Sequence, residues 1–236
     1  VPFVRFDSAM THTVKFDVSG FAAAPTSGYL ALATQNFPTP DIINPDDHYY
    51  SGTVVTSTSS NVTTTVPFNL DDYEWLMIIK NATATGSWIW ANSIRGTNKF
   101  IRSNGDNVEA TLDWLSVSGT TFTISTAIGV QNTFLVEIHK AGLASATAAN
   151  TDGTFASDSS SSDTTSTTVN LTSGFGFSIF TGEVDKGVRT IGHGLEKAPE
   201  FVINKQLVGA GSNWASTHIG LTNGTKEIYL NLNNAQ

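Results

Sequence analysis

The chain is predicted to be all-β, with tandem antiparallel β-sandwich-like modules and little helix, and three observations carry that prediction. Hydrophobic residues make up 39% of its 236 positions and charged residues only 14%, so Ser, Thr, Asn and Gly supply most of the polar surface. Thr, Val, Ile and aromatic side chains fit a pleated surface, while Gly, Asn and Ser fit the turns between strands. Short apolar or alternating segments recur at roughly ten-residue spacing with turn signals between them, the pattern of a sandwich or barrel. Finally, one passage of the sequence recurs 125 to 128 residues further on.

At the N-terminal end, Phe3-Val4-Arg5-Phe6 and Val14-Lys15-Phe16-Asp17-Val18 alternate apolar and polar positions, as a half-buried strand does. The stretch ends in Phe37-Pro38-Thr39-Pro40, whose two prolines stop a strand and stiffen a connector. Residues 1–44 are therefore expected to be the terminal strands and connector of a preceding β domain, or strands packing on the next one. Residues 45–142 read as a first β module. Its strands are expected at Val54-Val55, Val62–Val66, Trp75–Lys80, Trp88–Trp90, Lys99–Arg102, Thr121–Ile124 and Phe134–Ile138. Trp75–Lys80 is a continuous apolar run, consistent with a strand buried on both faces. The only competing helix lies around Ala110 to Val117. Residues 143–173 are dominated by Ala, Ser, Thr and Asp and bury too little apolar surface to offset ordering, so a linker or long loop is expected. Residues 174–236, from Gly174-Phe175-Gly176-Phe177, form a second β module. It is expected to be incomplete, because it stops before any equivalent of Phe134–Ile138.

The repeat itself is specific. Glu74-Trp75-Leu76-Met77-Ile78-Ile79-Lys80 is echoed by Glu200-Phe201-Val202-Ile203-Asn204-Lys205, and Gly86-Ser87-Trp88 by Gly211-Ser212-Asn213-Trp214. Arg95-Gly96-Thr97 and Asn223-Gly224-Thr225 close the two copies as turns that need positive φ. Linked copies raise effective local concentration without new contacts, a logic of reach and avidity rather than of a single active site.

Composition excludes several classes. Formal charge is −8 and Lys and Arg do not cluster, which argues against nucleic acid or an anionic membrane as partner. No apolar run approaches the ~20 residues that span a bilayer, so no membrane insertion is expected. Cysteine is absent, which removes disulfides and thiolate metal sites. Starting at Val1 without a leader, the chain reads as a piece of something longer, with residues missing before Val1 and after Gln236.

Candidate chemistry is sparse. His193 lies between glycines, where a turn-capping role outweighs that of a base lacking carboxylate and nucleophile. Asp46-Asp47-His48 is the densest set of metal-binding types, but neighbours on a strand point to opposite faces, so a solvated turn after Pro45 is expected. Asp152, Asp158 and Asp163 lack calcium-loop spacing. The sequons at Asn61, Asn81, Asn170 and Asn223 are near chance in so Asn- and Thr-rich a chain. With no phosphate loop, nucleophile elbow or carboxylate pair, no catalytic residue, no metal and no cofactor is expected, and the chain is read as not an enzyme. Aromatics are the better clue. Tyr49 and Tyr50 read as the exposed pair and, with Trp90, as candidate glycan-contacting residues. Trp75, Trp88 and Trp214 read as core.

Gly176-Phe177-Ser178-Ile179, followed by Gly192-His193-Gly194-Leu195-Glu196-Lys197-Ala198-Pro199-Glu200-Phe201-Val202-Ile203-Asn204-Lys205, resembles a repeat of virion and tail-fibre proteins of tailed bacteriophages. The pattern there runs Gly-Phe-Ser-Ile, His-Gly-Leu-Gly, a Pro-led Phe-Val-Ile strand, a Trp and a Gly-Thr-Lys turn. Glu196 stands where that family more often has Gly. The first module has Phe68-Asn69-Leu70 in place of His193-Gly194-Leu195, and lacks the Pro. The connector from Tyr29 to Pro40 resembles the one after a lectin-like sandwich. The likeness covers 174–230 well and 28–140 weakly. It implies a structural component of a phage virion, a tail fibre or tail appendage involved in host attachment and located in the virion tail. The implied partners are copies of itself (a homotrimer by analogy with other fibres), other virion tail proteins and a host surface glycan. Two other readings stand beside it: a carbohydrate-binding adhesin module gripping host polysaccharide, and a capsid decoration protein.

Overall fold

Strand pairing across the middle of the chain sets everything else. A computed structural model describes residues 44–146, 164–180, 191–222 and 224–233. The chain divides into two compact units, Val1–Ile43 and Asn44–Gln236, and the strands and connector expected before Asn44 lie outside the described residues. The second unit opens with β1 (Tyr49–Val55), β2 (Val62–Thr65), β3 (Tyr73–Asn81), β4 (Trp88–Asn92) and β5 (Lys99–Arg102). It continues through β6 (Ala110–Thr111), β7 (Leu115–Ser118), β8 (Thr121–Ile124) and β9 (Thr133–Leu143). These strands form a six-stranded sheet, ordered β1-β9-β3-β4-β5-β6, and a three-stranded sheet, ordered β2-β8-β7. The expected all-β, antiparallel architecture is observed. Helix among the described residues is confined to three-residue 3-10 turns such as Ser93–Arg95, and none is long and apolar enough to cross a membrane.

The core lies between the two sheets because one face of each strand is apolar. Trp75, Met77 and Ile79 of β3 and Phe134, Val136 and Ile138 of β9 alternate inward and meet Leu115, Phe122 and Ile124 of the opposing sheet. Met77, Ile79, Phe122, Ile124, Val136 and Ile138 have no exposed surface, and each side chain so buried contributes about 1.5–3 kcal/mol. Trp114 closes one end, edge-on to Phe100 at 6.3 Å. Lys140 seals another, its ammonium over the rings of Tyr73 at 4.2 Å and Phe68 at 5.5 Å.

Three expectations need correction. Trp75–Lys80 is fully buried on one face only, since Leu76 and Ile78 on the other are half-covered. The region from Ala110 to Val117 holds no helix but the strands β6 and β7, because Leu115 and Phe122 are drawn into the core. Part of the expected linker at 143–173 is also a strand. β10 (Thr164–Asn170) pairs with β11 (Phe175–Phe180), and Gly142 at the end of β9 donates its N–H to Thr168 Oγ1 at 2.9 Å. Thr, like Val, suits a pleated surface, so a polar composition did not preclude the strand.

Among the described residues, the second of the two similar passages forms a three-stranded meander. β12 (Phe201–Asn204), β13 (Ala215–His218) and β14 (Ile228–Tyr229) pair in order, as β3, β4 and β5 do. Both hairpins carry the same lock. Lys80, directly opposite Trp88, lies over that ring at 5.8 Å and donates to the Gly86 carbonyl at 2.5 Å. Lys205, one position beyond the Asn204–Ala215 pair, lies over Trp214 at 6.0 Å and donates to the Ser212 carbonyl at 2.5 Å. Gly96 and Gly224 both take the positive φ their turns require, +93° and +77°.

With the lysines superposed, Met77, Ile79 and Ala91 correspond to Val202, Asn204 and Thr217, and Phe201 matches Leu76 rather than Trp75. A one-residue slip exchanges the faces of a strand. The face that is buried core in the first meander is thus polar and open in the second, where Val202 is 41% exposed. Among the described residues nothing pairs with β12 as β9 pairs with β3. Met77→Ala is therefore expected to cost about 2–5 kcal/mol through cavity formation, while Val202→Ala at the equivalent place changes stability by under about 0.5 kcal/mol. Urea denaturation of both variants checks the pair.

Candidate interaction site

The outer face of the six-stranded sheet is where surface chemistry gathers. Residues directly opposite one another across antiparallel strands share a face, which gives three rows. The first runs Thr53–Leu135–Lys80–Trp88, the second Ser51–Glu137–Ile78–Trp90, and the third Tyr49–His139–Leu76–Asn92. Two of the three rows are covered.

The β10–β11 hairpin covers the third row. Phe175 packs on the His139 ring at 5.3 Å, with Tyr49 on the same ring at 5.0 Å. Asn170 Nδ2 lies 2.9 Å from His48 Nδ1 and donates to the Lys140 carbonyl at 3.2 Å. The second row is covered by Trp214. Its ring lies 5.0 Å from that of Trp90, and its indole N–H donates to the Arg102 carbonyl at 2.8 Å. The loops beside it are tied together. Ser212 N–H and Lys205 Nζ both donate to the Asp106 carbonyl, at 3.1 and 2.9 Å, and Glu109 N–H donates to the Leu207 carbonyl at 2.9 Å. Glu109 is in turn gripped by Arg95 at 2.5 Å and Lys99 at 2.9 Å. Gly211 permits this approach, since at φ +82° an added Cβ would stand 2.6 Å from the Asp106 carbonyl.

The first row stays open. Trp88 is 41% exposed and Leu135 45%, with Val55 beside them at 60%. The shared expectation for Trp88 and Trp214 therefore divides, because Trp214 is buried and Trp88 is not. Sequence likeness matched the two locks but held no sign of what lies on top of each.

The expected glycan-contacting residues do not come together. Tyr49 and Tyr50 are half-buried rather than exposed. Tyr49 lies on the outer face against His139, and Tyr50 points inward to Phe122 at 6.0 Å. Burial pushes the Tyr50 phenol above its ordinary value. Trp90 offers no free ring face towards Trp214, and its indole nitrogen is buried without a partner among the described residues.

The remaining candidates are local structure. His193 Nδ1 accepts the Leu195 N–H at 3.1 Å, a turn cap as expected. Asp46 and Asp47 lie in the exposed turn Pro45–Asp47, and among the described residues no three His, Cys, Asp or Glu side chains are grouped to hold a metal ion. Asn81 Oδ1 accepts the N–H groups of Thr83 and Ala84, so that sequon residue caps a turn. Asp152, Asp158 and Asp163 lie outside the described residues.

A family profile described as "Domain of unknown function (DUF7483)" matches residues 44–236, the span of the second compact unit. No curated protein and no solved structure matches the chain.

Two outcomes follow from this geometry. Trp214→Ala removes the cover of the second row and is expected to cost about 3–5 kcal/mol, whereas Trp88→Ala is expected to stay below about 1 kcal/mol because that ring is already wet. Chemical denaturation distinguishes them. Burial also pushes the His139 imidazole below its ordinary value, opposed by the Glu137 carboxylate 4.0 Å away. The unfolded chain then binds the extra proton more readily, so stability falls as pH drops below about 6.5. Thermal melts across that range should show a shallower loss for His139→Gln than for the parent.

Proposed function

The chain belongs to the DUF7483 family of domains of unknown function, and we propose that it serves as a structural component of a bacteriophage virion. Its place would be a tail fibre or related tail appendage, where inert β modules project or anchor an attachment surface. The observation that carries this reading is the resemblance over Gly176–Ile179 and Gly192–Lys205 to the repeat of tailed-phage virion proteins. Two features support it. Glu196, which stands where that pattern more often has Gly, takes φ +60°, the left-handed region that Gly enters without cost. The second unit is also a stack of small sheets held by backbone pairing and aromatic contacts, an architecture suited to mechanical work. Homo-oligomerisation would cover the apolar surface that such small sheets leave open.

Antibody raised against residues 44–236 should label the tails of purified particles of the phage that encodes this chain, seen by immunogold electron microscopy. Label confined to the head would make it a capsid decoration protein. Particles lacking the chain altogether would end the virion reading.

A further inference from the structure

The β10–β11 hairpin is fastened to the main sheet where two histidines meet it. Beside its turn, the carboxamide of Asn170 has its orientation fixed by the backbone. Its Nδ2 donates to the Lys140 carbonyl at 3.2 Å, and its Oδ1 accepts the Ser173 N–H at 3.2 Å. Turned over, the amide would set oxygen against carbonyl and N–H against N–H. The second hydrogen of Nδ2 is therefore aimed at His48 Nδ1, 2.9 Å away, and that nitrogen has to accept. A neutral imidazole with its proton on Nε2 meets this demand, whereas an imidazolium donates from both nitrogens. Protonation of His48 turns the bond into two opposed donors.

The second histidine lies under the same hairpin. His139 stands between the rings of Tyr49 and Phe175, at 5.0 and 5.3 Å, and burial holds its imidazole below the ordinary value. Glu137 on the same strand opposes this, but its carboxylate is 4.0 Å away, too far to accept a hydrogen bond. The neighbouring elements face His139 with uncharged groups: Tyr49 from β1, Leu76 from β3 and Phe175 from β11. Glu74, further along β3, accepts from Ser93 Oγ, and residues 164–180 contain no charged side chain. Around His48 the charged groups are Asp46 and Asp47 of its own exposed turn, and Lys140, whose ammonium is turned over Tyr73 and Phe68. Hairpin and sheet approach closely here, since a Cβ on Gly142 would stand 2.7 Å from the Val169 carbonyl.

We propose that the β10–β11 hairpin is an acid-released clasp, docked on the sheet while His48 and His139 are neutral and freed when they take up protons. Release returns His139 to water without opening the sandwich, so proton uptake is linked to the hairpin rather than to the core. The direction follows from the contacts. A depressed imidazole, beside a nitrogen that has to accept, supports docking above about pH 6.5 and withdraws that support as pH falls below it. In acid the unit then presents Phe175, Tyr49 and the third row of its sheet, a surface the docked hairpin covers.

The test is hydrogen exchange of the full chain, read by mass spectrometry as protection factors at about pH 7.5 and about pH 5, either side of the ordinary histidine range. Peptides within 164–180 are expected to lose about tenfold in protection in acid, while those of β3 keep theirs. His48→Asn, whose Oδ1 accepts at either pH, combined with His139→Gln is expected to hold the hairpin at both. Unchanged protection of 164–180 in the parent overturns the proposal. So does a loss shared by β3, which is unfolding of the whole unit, and so does a double variant that loses protection in acid as the parent does. A double variant already undocked at neutral pH passes the decision to the reciprocal measurement. Gly142→Leu crowds the hairpin off the sheet without altering either histidine, which its own exchange at neutral pH verifies. Linkage requires His139 to take its proton at higher pH in that variant than in the parent, as followed by NMR titration. An equal midpoint in the two overturns the clasp.

Discussion

The pairing of a lysine with a tryptophan across the first hairpin, and its recurrence in the second, is the constraint from which the rest of this unit follows. A strand has two faces, and only its register decides which of them meets the core. With Lys80 opposite Trp88, Trp75, Met77 and Ile79 turn inward, and the sandwich closes over them. The same lock in the second meander fixes the same register, but there the inward positions hold Val202 and Asn204. That face has too little to bury to recruit an opposing sheet. One local interaction thus yields a core element in one place and a surface element in the other, and the difference is carried by the side chains either side of it.

How far this was legible in the sequence can be argued from those residues. The strands were readable wherever apolar residues alternate or run together, as from Phe134 to Ile138, because the period of side chains along a strand is a local property. The meander was readable too, from Lys205, Trp214 and Gly224 repeating Lys80, Trp88 and Gly96. The face was not. Aligning Phe201 with Trp75 matches bulk with bulk, yet the lock matches Phe201 with Leu76, and the single-residue difference is invisible until the hydrogen bonds are drawn. β10 was missed because its Thr residues read as polar linker, while what orders them is contact with β11 and with Gly142. Burial of the tryptophans was equally hidden. Trp88 and Trp214 have like neighbours in sequence, and only the loops at Asp106 and Leu207, brought in from elsewhere, place one of them against Trp90.

The outer face of the main sheet shows how the pieces of the unit are ranked energetically. Its third row is covered by a hairpin through aromatic contacts and the bonds of Asn170. Its second row is covered by one indole and a few loop bonds. Neither cover approaches the density of the central core, where whole strands are interleaved. Regions with fewer buried apolar contacts open at lower free energy than the core. The second meander is held to the first sheet by Trp214 and by the bonds of Lys205, Ser212 and Leu207.

That arrangement bears on why the unit keeps apolar groups at its surface. A meander exposing Phe201, Val208, Ile219 and Leu232 leaves apolar side chains at the surface, and apolar surface invites association. Within the second unit exposed apolar side chains lie both on this meander and on the first sheet, where Val55, Trp88 and Leu135 are open.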